Sequence, residues 1–221
     1  MQIKVVEKIL AANDAIAAEN RELLEKNGIL AINIMGSPGA GKTSLAEQTI
    51  IALRSRLSTA VIEGDIATRY DAERLAALDI PVVHIATGGE CHLDAPMVKQ
   101  ALLQLDLAAA DVVLIENVGN LVCPAEYDLG QGKKVVVSSV PEGHDKVEKY
   151  PLMFRLADAV VLNKVDTLDA FDFDVQRFEA NLKDLNPRAA FFAVSCRTGQ
   201  GIDAWTDWIR AQSPLPRAGE G

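Results

Sequence analysis

The chain is poor in cysteine, histidine and basic residues. Its 221 residues include three Cys and three His, and the formal net charge is −9. A protein that binds nucleic acid usually needs a basic face, so this charge balance argues against a nucleic-acid partner. Three cysteines are an odd number and too few for a disulfide framework. We therefore expect reduced thiols and a cytoplasmic protein.

Long apolar runs are also missing. No stretch approaches the roughly 18 consecutive apolar residues of a membrane-spanning helix, so no membrane partner is predicted. The first ten residues, MQIKVVEKIL, carry charges at Lys4, Glu7 and Lys8. They lack the unbroken apolar run and the cleavage site of a signal peptide. The length suits one large domain or, less naturally, two small ones.

Short apolar runs alternate with helical patterns from Gly28 onward. Runs such as ADVVLIEN and KKVVVSSV are apolar almost throughout, which is typical of strands buried on both faces of a parallel sheet. Between the runs, apolar residues recur at helical spacing. The sequence therefore predicts an α/β fold with a doubly wound, mostly parallel sheet. The predicted strands are 29–35, 59–64, 81–86, 111–116, 134–140, 158–162 and 189–195.

A helical pattern over residues 3–26 precedes the first predicted strand. It ends at the string KNG, where Gly28 can adopt a left-handed cap. The residues expected on its apolar face are Val6, Ile9, Ala12, Ile16 and Leu23. We interpret this helix as a packing element. The predicted organisation is an amphipathic helix in 1–28, one α/β domain in 29–212 and a disordered tail in 213–221.

The string GSPGAGKT between the first strand and the next helix fits the phosphate-loop pattern G-x-x-x-x-G-K-[ST]. Its glycines let backbone N–H groups face phosphates at a helix N-terminus. Lys42 can reach the β- and γ-phosphates, and the Thr43 hydroxyl can bind Mg²⁺. The predicted phosphate-binding residues are Gly36, Pro38, Gly39, Ala40, Gly41, Lys42, Thr43 and Ser44.

Two later strings predict that the bound base is guanine. In LNKVD, Asn163 can bond the O6/N7 edge and Asp166 can accept from N1–H and the exocyclic amine, while Lys164 covers the base plane. Adenine would present an acceptor to this carboxylate, and an unpaired buried polar group can reject a wrong substrate by roughly 10⁴-fold. In SCRTGQG, the residues predicted to complete the pocket are Ser195, Cys196 and Arg197.

Acidic residues end two further strands, at Asp65 in VIEGD and at Glu116 in VVLIEN. An acid at the end of the fourth strand binds Mg²⁺ directly or through water, and Gly119 can donate its N–H to the γ-phosphate. Glu63 is either a member of this site or a solvated strand end. The predicted magnesium residues are Thr43, Asp65 and Glu116, and the predicted catalytic residues are Lys42, Asp65 and Glu116.

The residue after Gly119 is Asn120, where a glutamine could have positioned the attacking water. We therefore predict slow intrinsic hydrolysis of GTP to GDP and phosphate, with Asp65 positioning the water. On these motifs, residues 29–212 are predicted to form a P-loop GTPase domain.

The dipeptide Cys91–His92 lies in IATGGECHLDAP, and its function is open from the residues alone. Thiolates and imidazoles bind zinc and nickel, but free cysteine is also among the most buried residue types. His84, in PVVHIA, is interpreted as a satisfied core histidine. His144, in PEGHDK, is not assigned to a site.

Taken together, the strings SPGAGKT, EGD, CHLDA, ENVGNLVCP and NKVD resemble HypB, the family of hydrogenase nickel-insertion GTPases. The resemblance covers about residues 28–212. It implies a GTP-dependent homodimer that delivers nickel to the large subunit of [NiFe] hydrogenase. It also implies a small zinc-containing accessory protein, HypA, as a partner.

The resemblance further implies a site for Ni²⁺ or Zn²⁺ on Cys91, His92 and Cys123. Three ligands do not fill a tetrahedral or square-planar site, so the remainder would be water or would come from a second subunit. This chain departs from the family at Glu90, where a glycine is usual, and at Cys196, where an alanine is usual. We interpret Cys196 as a space-filling thiol. Residues 1–28 contain no Cys or His, whereas many members carry nickel-binding stretches there.

Two other functions remain open at this stage. The chain could be a related GTPase that serves another nickel enzyme such as urease, although ENVGNLVCP disfavours this alternative. It could also be a metal-sensing or storage protein whose nucleotide site is only structural. The presence of Lys42, Thr43, Asp65 and Glu116, which together supply the parts for hydrolysis, disfavours this second alternative.

Overall fold

The computed structural model describes residues 5–66 and 69–213. Residues 3–4 of the predicted N-terminal helix and residues 214–221 of the predicted tail lie outside these ranges. The strands β1 to β7 span Leu30–Gly36, Thr59–Asp65, Val82–Ala86, Val112–Glu116, Lys133–Ser139, Ala159–Asn163 and Ala190–Ala193. All seven predicted strands are therefore present, with ends that differ by one or two residues.

The strands form one parallel sheet in the order β3-β2-β4-β1-β5-β6-β7. The predicted fold class is confirmed. The helices α1 to α9 span Val5–Lys26, Lys42–Leu53, Tyr70–Ala76, Ala95–Leu102, Cys123–Glu126, Lys146–Lys149, Pro151–Arg155, Val175–Leu185 and Ile202–Gln212. Within the described ranges, none of these helices has the length and apolarity that a membrane crossing requires.

The sheet is covered on both faces, which explains why its strands are apolar throughout. Alternate residues of β1 point to opposite faces, so Ile32 and Ile34 pack with α2 and α9, whereas Met35 packs with α7 and α8. Helices α1 and α4 cover the same face as α7 and α8, over the other half of the sheet. The result is a three-layer α/β arrangement with a core on each side of the sheet.

The sheet reverses its winding at β1, which lies between β4 and β5. Ligands of open α/β sheets bind beyond the carboxyl ends of the strands at this kind of switch point. The predicted phosphate loop follows β1, and the predicted acids end β2 and β4. The topology therefore brings them to the same edge.

The predicted apolar face of α1 is wrong in part. Ile9 and Ala12 are exposed, and the buried residues of the helix are Asn13, Ala17, Asn20 and Leu24. Val6 belongs to the predicted face, but its side chain is outside the described set. The predicted end is confirmed, because the helix stops at Lys26 and Gly28 has a φ of 62°.

The two buried asparagines of α1 connect two segments that are distant in sequence. Asn13 Oδ1 accepts from Ala95 N over 2.8 Å, and Asn13 Nδ2 donates to Asp128 O over 2.8 Å. Asn20 Nδ2 donates to Ala95 O over 2.9 Å and to Leu129 O over 3.0 Å. A buried amide is stable only when it is hydrogen-bonded. These bonds join the start of α4 to the segment after α5.

Candidate nucleotide and metal site

The loop between β1 and α2 has the backbone of a phosphate cradle. Gly39 and Gly41 have φ angles of 76° and 96°, in the left-handed region that favours glycine. A Cβ on Gly36 would lie 2.3 Å from the carbonyl oxygen of Val137, so no larger residue fits there. Beside this loop is a cleft of about 460 Å³, and the cleft is lined by Pro38, Gly39, Gly41, Lys42, Thr43 and Ser44, together with the ends of β2 and β4.

Lys42 is buried at the floor of this cleft. Its Nζ donates to the carbonyl oxygens of Gly36 and Ser37 over 3.3 and 3.2 Å. Burial lowers the pKa of Lys42, and the nearby Glu116 carboxylate opposes that shift. A buried ammonium that is bonded to two backbone carbonyls is well placed to meet the charge of a phosphate.

Glu116 and Thr43 meet at the same end of the cleft. The Thr43 hydroxyl donates to Glu116 Oε1 over 2.7 Å. Among the described residues, the buried Oε2 of Glu116 has no hydrogen-bond partner. Burial raises the pKa of Glu116 to about 7, against the Thr43 hydrogen bond and Lys42. A hydroxyl and an orphaned carboxylate oxygen are hard oxygen ligands, so this corner fits the predicted Mg²⁺.

Glu63 is buried, so the alternative that it is a solvated strand end is wrong. It lies directly opposite Glu116 in the β2–β4 register, and its Oε2 is 2.6 Å from His84 Nδ1. Burial raises the pKa of Glu63, and the His84 hydrogen bond partly offsets that shift. The His84 side chain is 12% exposed and has Glu63 as a hydrogen-bond partner, as its interpretation as a satisfied core histidine requires. Asp65, at the end of β2, lines the cleft.

Of the predicted base-binding residues, Asn163, Lys164, Asp166, Cys196 and Arg197 line a second cavity beside the phosphate loop, together with Ser44. Ser195 is buried and is not part of this lining. Asn163 connects the pocket walls. Its Nδ2 donates to Ala40 O over 3.1 Å, and its Oδ1 accepts from Lys164 N and Cys196 N. The Lys164 side chain lies across the loop and donates to Gly39 O over 2.6 Å.

Asp166 has partners in the loop that follows β7. Ser195 Oγ donates to Asp166 Oδ1 over 2.6 Å, and Arg197 Nη1 lies 3.5 Å from Oδ2. Burial raises the pKa of Cys196 to about 12, so this thiol stays protonated and unreactive. Its side chain packs against the hydrophobic core, as a space-filling role requires.

The structure brings Cys91, His92 and Cys123 together. One ligand atom from each lies within 4.8 Å of the others, and in the described ranges this is the one such Cys, His, Asp or Glu group with metal-binding geometry. The two Sγ atoms are 3.1 Å apart, and Cys91 Sγ is 3.9 Å from His92 Nδ1. The pKa of Cys123 is raised, first by its hydrogen bond with Cys91 and then by burial. Soft thiolates and an imidazole suit zinc or nickel.

The three ligand residues lie in different kinds of local structure. Cys91 and His92 precede α4, which begins at Ala95, so they lie in a loop and not in the helix. Cys123 is the first residue of the short helix α5. Sequence reasoning missed Tyr127, whose ring contacts that of His92 in a tilted arrangement, with 3.9 Å between centroids and 32° between the ring planes. No periodicity or motif in the sequence signals this contact.

Sequence reasoning also missed Asn117, which follows Glu116. Its Oδ1 accepts from Leu93 N and Val118 N, both over 3.0 Å, and its Nδ2 donates to Asn33. Leu93 follows the Cys91–His92 pair directly. The end of β4 is therefore bonded to the ligand-bearing loop, so the cleft and the Cys/His group are parts of one region.

Comparison with known proteins now decides the family. The family model of the CobW/HypB/UreG nucleotide-binding domain matches residues 30–193. The hydrogenase maturation factor HypB of Azotobacter vinelandii is 48% identical over 210 residues, which are 95% of this chain and 69% of that protein. The chain belongs to the HypB family of hydrogenase maturation factors. The resemblance inferred from the motifs is confirmed.

Solved HypB structures agree with this assignment. Hydrogenase maturation factor HypB from Archaeoglobus fulgidus is 43% identical, with a TM-score of 0.86 over 92% of this chain and 99% of that one. HypB from Helicobacter pylori, solved in complex with nickel, is 38% identical, with a TM-score of 0.87 over 91% and 95%. The HypB fold therefore extends over nearly all of this chain, including the region of the Cys/His group.

Proposed function

We propose that this HypB-family chain is a GTP-hydrolysing metallochaperone that carries nickel or zinc and assists nickel insertion into [NiFe] hydrogenase. The observation that carries the proposal is the pair of thiols at 3.1 Å, placed next to a phosphate cleft that ends at Gly119. A metal site beside a nucleotide sensor is what a delivery protein needs, because release of the metal must be coupled to the nucleotide state.

The nucleotide part of the proposal assigns each residue a role. The loop 36–44 binds the phosphates through backbone N–H groups, and the buried Lys42 stabilises charge on the γ-phosphate. Gly119 donates its N–H to the γ-phosphate, and Asp65 orients the attacking water. When bound, Mg²⁺ neutralises phosphate charge, and Thr43, Asp65 and Glu116 would hold it. The Asp166 carboxylate selects guanine, within a pocket that Ser195, Cys196 and Arg197 complete.

The metal part of the proposal uses the Cys/His group. Cysteine thiols bind Ni²⁺ or Zn²⁺ only after losing their protons, so the raised pKa of Cys123 makes metal and proton compete for that sulfur. The nickel complex of the Helicobacter pylori relative supports nickel as a cargo here. The group offers three ligand atoms, which is fewer than a tetrahedral or square-planar ion takes.

A second copy of the chain would supply the missing ligands. A two-fold axis through the site would pool four thiolates, and nucleotide and metal would then bias the same monomer–dimer equilibrium. We propose this homodimer as the working form, with the accessory protein HypA and the hydrogenase large subunit as partners. The membership of the HypB family supports this choice of partners.

The decisive experiment is a titration of the protein with Ni²⁺ and Zn²⁺ in the presence of GDP and of a non-hydrolysable GTP analogue. We expect the metal affinity to differ several-fold between the two states and the dimer content to change with it. Equal affinities in both states would contradict the delivery function. Measurement of phosphate release from GTP separates this function from storage, since a structural nucleotide site would release none.

A further inference from the structure

The residue after the phosphate sensor, Asn120, lies directly against the phosphate loop. Its backbone N–H donates to Gly36 O over 3.0 Å, and the two residues form an isolated antiparallel bridge. The preceding Gly119 is pressed onto Pro38, because a Cβ built on it would meet three Pro38 atoms at 2.8–2.9 Å. A displacement of the loop or of Gly119 therefore also moves the backbone of Asn120.

The side chain of Asn120 bonds to the segments that carry the two thiols. Residues 116–119 line the phosphate cleft, but Asn120 is absent from that lining in the described part of the chain. Its Nδ2 donates to Cys91 O over 3.3 Å, and its Oδ1 accepts from Val122 N over 2.8 Å. One amide thus holds the backbone of Cys91 and the residue that precedes Cys123.

These contacts make Asn120 a direct connection between the phosphate loop and the segments of the two thiols. Its backbone is fixed to the phosphate loop, and its side chain joins the two segments whose sulfur atoms lie 3.1 Å apart. Metal affinity is sensitive to such geometry, because ligand distances must match the ion within about 0.2 Å. Outer residues that orient ligands typically change metal affinity about 10–100-fold when mutated.

We propose that Asn120 is a positioning residue that converts the state of the γ-phosphate sensor into the spacing of the Cys91–Cys123 thiol pair. This inference rests on the proposed function and names the residue through which it works. The role differs from that of a glutamine at the same position in other GTPases, because both polar ends of the Asn120 side chain are bonded to the metal-binding segments.

The test compares three variants with the wild type. Asn120→Ala removes both side-chain bonds and keeps the backbone bridge to Gly36. Asn120→Asp keeps the acceptor for Val122 N and loses the donor to Cys91 O. Asn181→Ala is the matched control, because Asn181, on helix α8, makes a solvent-exposed bond to Glu148 on α6, outside the phosphate-binding and metal-binding segments.

For each protein, Zn²⁺ affinity is measured by competition with a chromophoric chelator, with GDP and with a non-hydrolysable GTP analogue. The thiolate-to-Ni²⁺ absorption band gives a second readout of the geometry. We expect a several-fold affinity ratio between nucleotide states in the wild type and in Asn181→Ala. The ratio should fall to near one in Asn120→Ala and to an intermediate value in Asn120→Asp.

The outcomes separate the inference from the function on which it rests. An Asn120→Ala protein that keeps the wild-type ratio and the wild-type nickel band overturns the role of Asn120 and leaves the delivery function intact. A wild-type ratio of one overturns the proposed coupling itself, and the inference with it. GTP affinity serves as the folding check, and if Asn120→Ala fails it, the unchanged ratio of a folded Asn120→Asp protein would be equally decisive.

Discussion

The Thr43 hydroxyl donates to Glu116 Oε1 over 2.7 Å, although 73 positions separate the two residues. The bond closes the phosphate cleft at the point where α2 begins and β4 ends. It satisfies one oxygen of a buried carboxylate and leaves the other without a partner among the described residues. The cleft therefore contains a buried carboxylate, and the free energy of its ionised form depends on pH and on a bound cation.

The first prediction is that Glu116 lowers the stability of the nucleotide-free protein at neutral pH. Its pKa is about 7 in the folded protein, above the ordinary 4.5, so the folded state binds more protons than the unfolded chain. The free energy of unfolding should therefore fall by roughly 2–4 kcal/mol as pH rises from about 4.5 to above 7. In denaturant titrations without Mg²⁺, Glu116→Gln should show a smaller decrease in the free energy of unfolding over this pH range. The same variant should lose Mg²⁺-dependent GTP binding. An identical pH profile in the variant would contradict the assignment.

The second prediction is that Lys42→Ala abolishes GTP hydrolysis. The variant loses the buried ammonium that faces the cleft, and removing one such electrostatic contact costs about 10²–10³-fold in rate. Phosphate release under single-turnover conditions measures the effect. Lys183→Ala, on the exposed surface of α8, is the control and should hydrolyse GTP at the wild-type rate. Asp65→Ala should turn over slowly, and full turnover together with normal binding of Mg²⁺·GTP would remove its role with the water.

The third prediction is that Asp166→Asn weakens GTP binding by about one to two orders of magnitude, because an acceptor pair to guanine is lost. The variant should gain affinity for xanthine nucleotides, which present an oxygen where guanine has an amine. Competition with a fluorescent GDP derivative measures both affinities. Asp169→Asn, an exposed acid in the same segment, should bind GTP normally. Unchanged GTP binding in Asp166→Asn would exclude this carboxylate from base recognition.

The fourth prediction concerns acidity at the metal site. The pKa of Cys123 is raised, so more of this thiol is protonated at a given pH than usual, and metal affinity should increase steadily with pH above neutrality. Chelator competition between pH 6 and pH 9 measures this slope.

Cys123→Ala should weaken metal binding strongly and leave GTP affinity almost intact. Cys196→Ser should keep the wild-type metal affinity, since that thiol lies in the base pocket.

The fifth prediction is that Asn20→Ala destabilises the protein by about 1–3 kcal/mol, because the buried carbonyl oxygens of Ala95 and Leu129 lose their donor. Urea denaturation measures the loss. Asp14→Ala, at an exposed position of the same helix, should change stability by less than about 0.5 kcal/mol. If both substitutions had equally small effects, α1 would not fasten the segments that follow the ligand residues.

The phosphate loop and the strands could be predicted because their signals are local. A buried parallel strand must be apolar along its whole length, and a loop that wraps phosphate must place glycine at fixed positions before Lys42. The covering of both faces of the sheet by helices followed from the alternation of strands and helices. The start of α4 could not be predicted from apolar spacing, because Asp94 caps it at a point that this spacing does not mark.

The buried face of α1 could not be predicted from apolar spacing. Asn13 and Asn20 are buried because they hydrogen-bond to backbone atoms of Ala95, Asp128 and Leu129, which are 75 to 115 positions away. The same reason applies to Glu63, which is buried with His84 as its partner. A polar residue in a sequence is interpreted as exposed until a distant partner is known.

The sequence by itself determined the parallel α/β fold, the phosphate loop and the family, because each depends on residue types at short, regular spacing. Only the tertiary structure decided that Cys91 and Cys123 have their sulfur atoms 3.1 Å apart. It also decided that Asn120 bonds to the segments of both cysteines and, in the described part of the chain, does not line the phosphate cleft. These are contacts between separate loops, and their geometry depends on how the β4 end, α1 and α4 pack against one another. No local pattern in the chain encodes that packing.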